Sequence, residues 1–309
     1  MAAIPHLLAA ILLLGSIGAF AGETAPRFKT TGTPGEFQVR TGMLEGLLRA
    51  GGHSHGLAPL RHSATGTPVA APPGIFNYYR VFTTNHRHGH SLRGAPSEAR
   101  LLSPNTLEVT WAPAEDRPFT LTGRYIWTAP GILDLETGVE AHETLPDFEV
   151  FLAAYFAEGF PAGAVYSNPD NGLPAFITAE HAGGVWQVFP KDDAASRLVH
   201  DGRWAIPPNP VDWQTTAQFA APLAYRRNPK TGLAAIVMAP PEDCFAVFTP
   251  QRGEGHRSLY LSLFGRTIPE GETARARARF AAGAGLEDED IVEMYRDYTT
   301  HLTEAEEEK

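Results

Sequence analysis

The chain reads as an all-β protein, a large two-sheet antiparallel β-sandwich with a C-terminal helix, and three observations point there. Its 30 Gly and 26 Pro punctuate the 309 residues at short intervals, as turns between short strands require. Between them lie runs of β-branched and aromatic residues, which fit a pleated, half-buried surface. No repeat of fixed period is present, which argues against a propeller. The 17 Phe, 9 Tyr and 5 Trp supply bulky side chains for a large core.

Taken in order, strands are expected over residues 37–40, 75–83, 106–111, 119–127, 132–141, 148–156, 175–178, 185–189, 214–225, 233–238, 245–249, 258–264 and 273–280. Such a number suits two packed sheets. Residues 50–74, rich in Gly, Ala and Pro, read either as a linker or, through His53, His55 and His62, as a substrate-facing loop. One helix is expected after Gly285. Its acidic first turn, Glu287 to Asp290, complements the helix dipole, and Ile291, Met294, Tyr295, Tyr298 and Leu302 recur at helical spacing. The charged tail from Glu304 to Lys309 is expected to fray.

At the N-terminus an apolar run, Leu7 to Leu14, ends at Ala19-Phe20-Ala21, the small-x-small pattern of a cleaved signal peptide. The run is shorter than the roughly 20 residues that span a bilayer. Only the α-amino group and His6 offer positive charge ahead of it, so an uncleaved anchor is the open alternative. The expected organisation is a signal peptide over 1–21, a sandwich over 22–285, and a helix with an acidic tail over 286–309. The expected location is secreted or periplasmic, with no stable membrane insertion once the signal is cleaved. The net charge of −10 argues against nucleic acid as a partner. Cys244 is the only cysteine, which excludes an intramolecular disulfide.

Patterns for a phosphate-cradling loop, a CxxC pair or an HExxH zinc site are absent. Cys244, among apolar residues, is expected to be packed rather than nucleophilic. The anomaly is the segment from Tyr78 to Gly94: it holds Arg80, Arg87, Arg93, His86, His88 and His90 and no carboxylate. Arg offers a bidentate fork, so an anionic group such as a uronate or sulfated sugar is the functional reading. A solvated loop balanced by distant carboxylates is the plain one. His86 and His88, like His53 and His55, are two apart and share a face of an extended chain, which makes each pair a weak metal candidate lacking a third ligand. No metal and no cofactor is expected. Tyr78, Tyr79, Trp186 and Trp204 are candidate sugar platforms, since an aromatic face covers the apolar side of a pyranose. Alternation allows only one of Tyr78 and Tyr79 to face the site; Tyr79 is favoured, which conflicts with placing Arg80 there too.

The order of segments is more specific than any one motif. FNYYRVFTTNHRHGHSLRG (76–94) precedes the strand pair RPFTLTGRYIWTAPGILDLETGVE, then LPDFEVFLAAYF, and the chain closes on IPEGETARARARF (268–280). This resembles the galactose-mutarotase-like (aldose 1-epimerase) β-sandwich superfamily, as a divergent member, over residues 75–280. The resemblance implies a sugar site at Asn85, His86 and His88, with His86 and His88 lining the ligand cleft. It also implies that the face of the 148–156 strand bearing position 153 binds sugar. By alternation Asp147, Glu149, Phe151, Ala153 and Tyr155 share that face, making Glu149 a candidate site carboxylate. The expected binding residues are therefore Asn85, His86, His88, Arg93, Tyr79 and Glu149, with catalytic residues unassigned. Where the family carries its acid, His-x-Tyr-Phe, this chain has Ala153-Ala154-Tyr155-Phe156, and where it carries its base the best equivalent is Phe248. The leading expectation is a carbohydrate-binding protein lacking the epimerase acid and base. The alternatives are a polysaccharide lyase or other uronate-acting enzyme using residues 78–94, and a structural envelope protein.

Overall fold

The computed structural model describes residues 25–84, 86–169, 172–179, 184–251 and 253–307, so the expected signal segment and Asn85 lie outside the described residues. The architecture is all-β, with two large sheets face to face and a smaller one at the N-terminal end. The seven-stranded sheet runs β16 (Trp213–Thr215), β15 (Trp186–Pro190), β19 (Cys244–Pro250), β20 (Ser258–Ile268), β12 (Leu145–Tyr155), β6 (Asn77–Thr83), β7 (His86–Arg87). The nine-stranded sheet runs β14 (Ala175–Thr178), β13 (Ala162–Ser167), β17 (Phe219–Arg227), β18 (Leu233–Met238), β21 (Thr273–Ala284), β11 (Ile132–Ala141), β10 (Phe119–Ala129), β9 (Thr106–Trp111), β8 (Glu98–Ser103). Pairing is antiparallel except between β15 and β16.

The third sheet was not expected. It comprises β1 (Arg27–Thr30), β2 (Glu36–Arg40), β3 (Leu44–Arg49), β4 (Leu57–His62) and β5 (Pro68–Ala70). Residues 50–74 are therefore not simply a linker or a loop, because β4 and β5 lie within them. Leu57, Leu60 and Val69 there are fully buried in the same core as Phe37 and Val39. Pro59 and Pro68 mask these strands in the sequence; Pro68 is tolerated as the first residue of an edge strand. The expected strand over 214–225 is likewise two strands, β16 and β17, which belong to different sheets.

Alternation along the strands builds two faces on the seven-stranded sheet. Along β12, Phe148, Val150, Leu152 and Ala154 enter the core shared with Leu133, Leu135 and Phe280 of the opposing sheet. Phe151 and Ala153 point the other way, into a separate aromatic cluster with Phe82, Trp204, Trp213, Phe248 and Tyr260. The outer face of the nine-stranded sheet is covered instead by the C-terminal helix α2 (Asp288–Glu307), whose Ile291 and Tyr298 pack on Leu223 and Ile236. A short helix, α1 (Asp193–Val199), is capped by Asp192, whose side chain accepts from the Ala195 N–H at 2.8 Å. Among the described residues no helix is long and apolar enough to cross a membrane.

Candidate functional site

The aromatic cluster opens into a cleft of about 370 Å³ on the outer face of the seven-stranded sheet, in the usual size range for small-ligand pockets. A bulge shapes its wall. In the β6–β12 ladder Arg80 faces Phe151 and Tyr78 faces Leu152, so Tyr79 is an extra residue with no partner across the ladder. The bulge removes the conflict posed by strict alternation. Tyr78 turns into the inter-sheet core, where its hydroxyl bonds Thr137 at 2.9 Å, while Tyr79 and Arg80 both line the cleft.

Arg80 is almost wholly buried, 2 % exposed, and among the described residues no carboxylate meets it. Its guanidinium lies 4.9 Å from the Tyr79 ring centroid and 4.8 Å from that of Trp204, a cation–π sandwich. Nη2 donates to the Asn209 carbonyl at 2.6 Å and to the Tyr79 hydroxyl at 3.3 Å. Among the described residues Nε and Nη1 are buried without a partner, as are the indole N–H groups of Trp204 and Trp213 in the same wall. A buried donor left unpaired costs about 1–3 kcal/mol, and here four of them, all donors, gather at one cleft.

The remaining lining residues come from distant parts of the chain. Behind the lining, Arg93 stacks over Tyr79 at 4.7 Å. Tyr260 accepts from Ser258 Oγ at 2.6 Å. Burial raises the pKa of both Tyr155 and Tyr260, so each phenol keeps its proton. At the rim stands His256, its Nδ1 2.8 Å from both carboxylate oxygens of Glu254 and its ring 5.3 Å from Trp186.

Tyr79, expected from the sequence, lines the cleft, as do the platform candidates Trp186 and Trp204, whereas Arg93 stacks on Tyr79 and is not itself part of the lining. Asn85 lies outside the described residues. His86 is exposed and His88 buried, and neither lines the cleft, unlike the expectation. Both ring nitrogens of His88 are occupied, by Thr83 Oγ1 at 3.1 Å and the Asp116 carbonyl at 2.8 Å, and the ring packs edge-on against Phe119. Arg87 is spent on carbonyls: Nη1 donates to Pro208 at 2.6 Å and Nη2 to His90, so much of the basic cluster ties the 207–211 loop to the sheet. Glu149 sits on the foreseen face but is sealed, wholly buried, with its oxygens bonded to Arg203 at 2.9 Å and Ser262 at 2.5 Å. His53 and His55 sit beside Arg93, through the Ser54 N–H to Arg93 carbonyl bond. No group of three or more possible metal ligands exists among the described residues. Sequence reasoning missed Arg203, Trp213, His256 and Tyr260. Nothing local distinguishes them; only the strand order brings them together.

Burial lowers the pKa of His88 from 6.5 to about 4, helped by His86 and Arg117 and opposed by the Asp116 carbonyl. Its neutral ring thus contributes stability that is fully present above pH 6.5 and lost as pH falls toward 4. The loss reaches about 3 kcal/mol. Urea unfolding of the wild type and His88→Asn between those limits is the check; equal slopes in the two would refute this role.

No protein-family model matches the sequence, and no curated protein matches it. Solved structures do. A galactose mutarotase related enzyme from Lactobacillus acidophilus is similar at TM-score 0.46 and 8% identity, over 82% of this chain and 98% of that one. The Slr1438 protein from Synechocystis sp. PCC 6803 is similar at TM-score 0.48 and 13% identity, over 84% and 96%. The alpha-N-acetylgalactosaminidase NagBb from Bifidobacterium bifidum shares the fold at TM-score 0.50 and 11% identity, over 89% of this chain and 39% of that longer one. The likeness is one of fold.

Proposed function

We propose that the cleft binds a carbohydrate carrying an anionic group. The observation that supports this most is the set of unpaired buried donors on Arg80, Trp204 and Trp213, walled by aromatic faces. Rings cover the apolar side of a pyranose, and a carboxylate or sulfate supplies the acceptors these donors lack. Ala153 and Phe248 stand where the resemblance puts the epimerase acid and base, both fully buried on this face. Neither side chain can move a proton, so the reading is binding without anomer interconversion. Export from the cytoplasm rests on the apolar run at residues 7–14 and is checked by the mass of the mature chain.

Calorimetric titration should show acidic oligosaccharides binding and their neutral counterparts binding far more weakly. Arg80→Gln should lose about 1.5–3 kcal/mol of binding, on the order of 10- to 150-fold in affinity. Equal affinity for neutral and acidic sugars, or an Arg80→Gln variant that binds like the wild type, would remove the reading. So would catalysed interconversion of the anomers of a free hexose.

A further inference from the structure

We infer that this cleft also abstracts a proton, with His256 as the base and the carbon beside the carboxylate of a bound hexuronate as the acid. The inference rests on the anionic-ligand reading and adds a reaction to it. A His–Glu pair on an exposed loop is ordinarily a surface ion pair of little energetic consequence. Placement distinguishes this one. Glu254 holds Nδ1 from both carboxylate oxygens at 2.8 Å, which fixes that nitrogen as the proton-bearing one and leaves Nε2 as the acceptor. Among the described residues Nε2 has no hydrogen-bond partner, and the ring lines the cleft beside Trp186 and Tyr155, at 5.3 Å and 6.3 Å between centroids.

The same cleft supplies what a carbon acid needs. When C5–H breaks, its electron pair moves into the carboxylate, and the charge that develops there is held by the guanidinium of Arg80. His256 Nε2 takes the proton. In an oligomer linked at C4, the C4–O bond then breaks as C4=C5 forms, and the Tyr155 hydroxyl gives its proton to the departing oxygen. Tyr155 is kept protonated by burial and lines the same cleft. The proton on His256 returns through water to the phenolate, so the cycle closes without a co-reactant. Without a leaving group at C4 the proton simply exchanges with solvent. Glu254 is a positioning residue, since it acts through the imidazole.

The experiment is proton NMR of hexuronate oligosaccharides, oligogalacturonate and hyaluronan fragments among them, incubated with the full chain in D₂O, with the ultraviolet band of an unsaturated uronate followed in parallel. The oligomer that binds should lose its H5 signal. His256→Gln should slow that loss on the order of 100-fold or more when each variant is saturated with the oligomer, so that any change in affinity is set apart from the change in rate. Glu254→Gln should displace the pH profile of exchange, and Tyr155→Phe should keep exchange while losing the ultraviolet band. A hexuronate that binds yet retains H5, or a His256→Gln variant as fast as the wild type, overturns the inference and leaves the binding reading standing. Failure of every acidic sugar to bind is the distinct result that removes both.

Discussion

Glu149→Ala is expected to cost about 3–5 kcal/mol of folding stability, the range for breaking a buried ion pair from one side. Arg203 and Glu149 are both fully buried at the side chain, and Arg203 Nη1 meets the carboxylate at 2.9 Å while Nε and Nη2 are forked onto Asp201. Removing Glu149 strands Nη1 with only the Asp147 carbonyl at 3.2 Å. Both pKa values are raised, which favours a proton on each partner. Burial raises the pKa of Glu149 against the pull of Arg203, whereas Arg203, which burial alone would lower, is held above its ordinary value by Glu149 and Asp201. The ionised pair is the state we stand behind, because Arg203 stays charged and a neutral Glu149 would leave that charge under-compensated beside Phe82. Urea unfolding at neutral pH is the measurement; a loss below about 1 kcal/mol would place the pair among those that contribute little.

Phe151→Ala should be comparably severe, about 3–5 kcal/mol for an aromatic core truncation. Phe151 is 1 % exposed and its ring touches those of Trp204, Trp213, Phe248 and Tyr260, with centroids 4.6 to 6.0 Å away. The variant would open the cleft floor and release the Trp204 face that stacks on Arg80, so stability and ligand affinity should fall together. Phe151→Leu keeps most of the volume and separates the two effects, retaining the fold while weakening binding. An Ala variant with unchanged unfolding would mean that the cluster is not the structural floor of the site.

The large strands were legible in the sequence because long alternating runs between turn formers leave few options: 106–111, 132–141, 175–178 and 233–238 coincide with β9, β11, β14 and β18. Of the short N-terminal strands β2 was legible, as 37–40, whereas β4 and β5 were not, because Pro59 and Pro68 imitate loop composition. The site was half legible. Parity placed Phe151 and Tyr155 on the correct face, and residue type selected Tyr79. The Tyr79 bulge was invisible, since an extra residue leaves no compositional mark, and it alone lets Arg80 join Tyr79. His88 illustrates the converse. An imidazole in a basic segment suggests a ligand, yet its nitrogens serve Thr83 and Asp116.

Of the 5 tryptophans, Trp186, Trp204 and Trp213 gather at the cleft, while Trp111 and Trp127 are sunk in the inter-sheet core. The protein therefore carries its own optical reporter. A ligand seated against Arg80 changes the electric field on Trp204 directly, and the edge-on contact of Trp204 with Trp213 at 5.3 Å passes excitation between the indoles. Emission from the cleft should shift and quench on occupancy against a constant background from the two core residues, so candidate sugars can be screened by light alone, without label or tether.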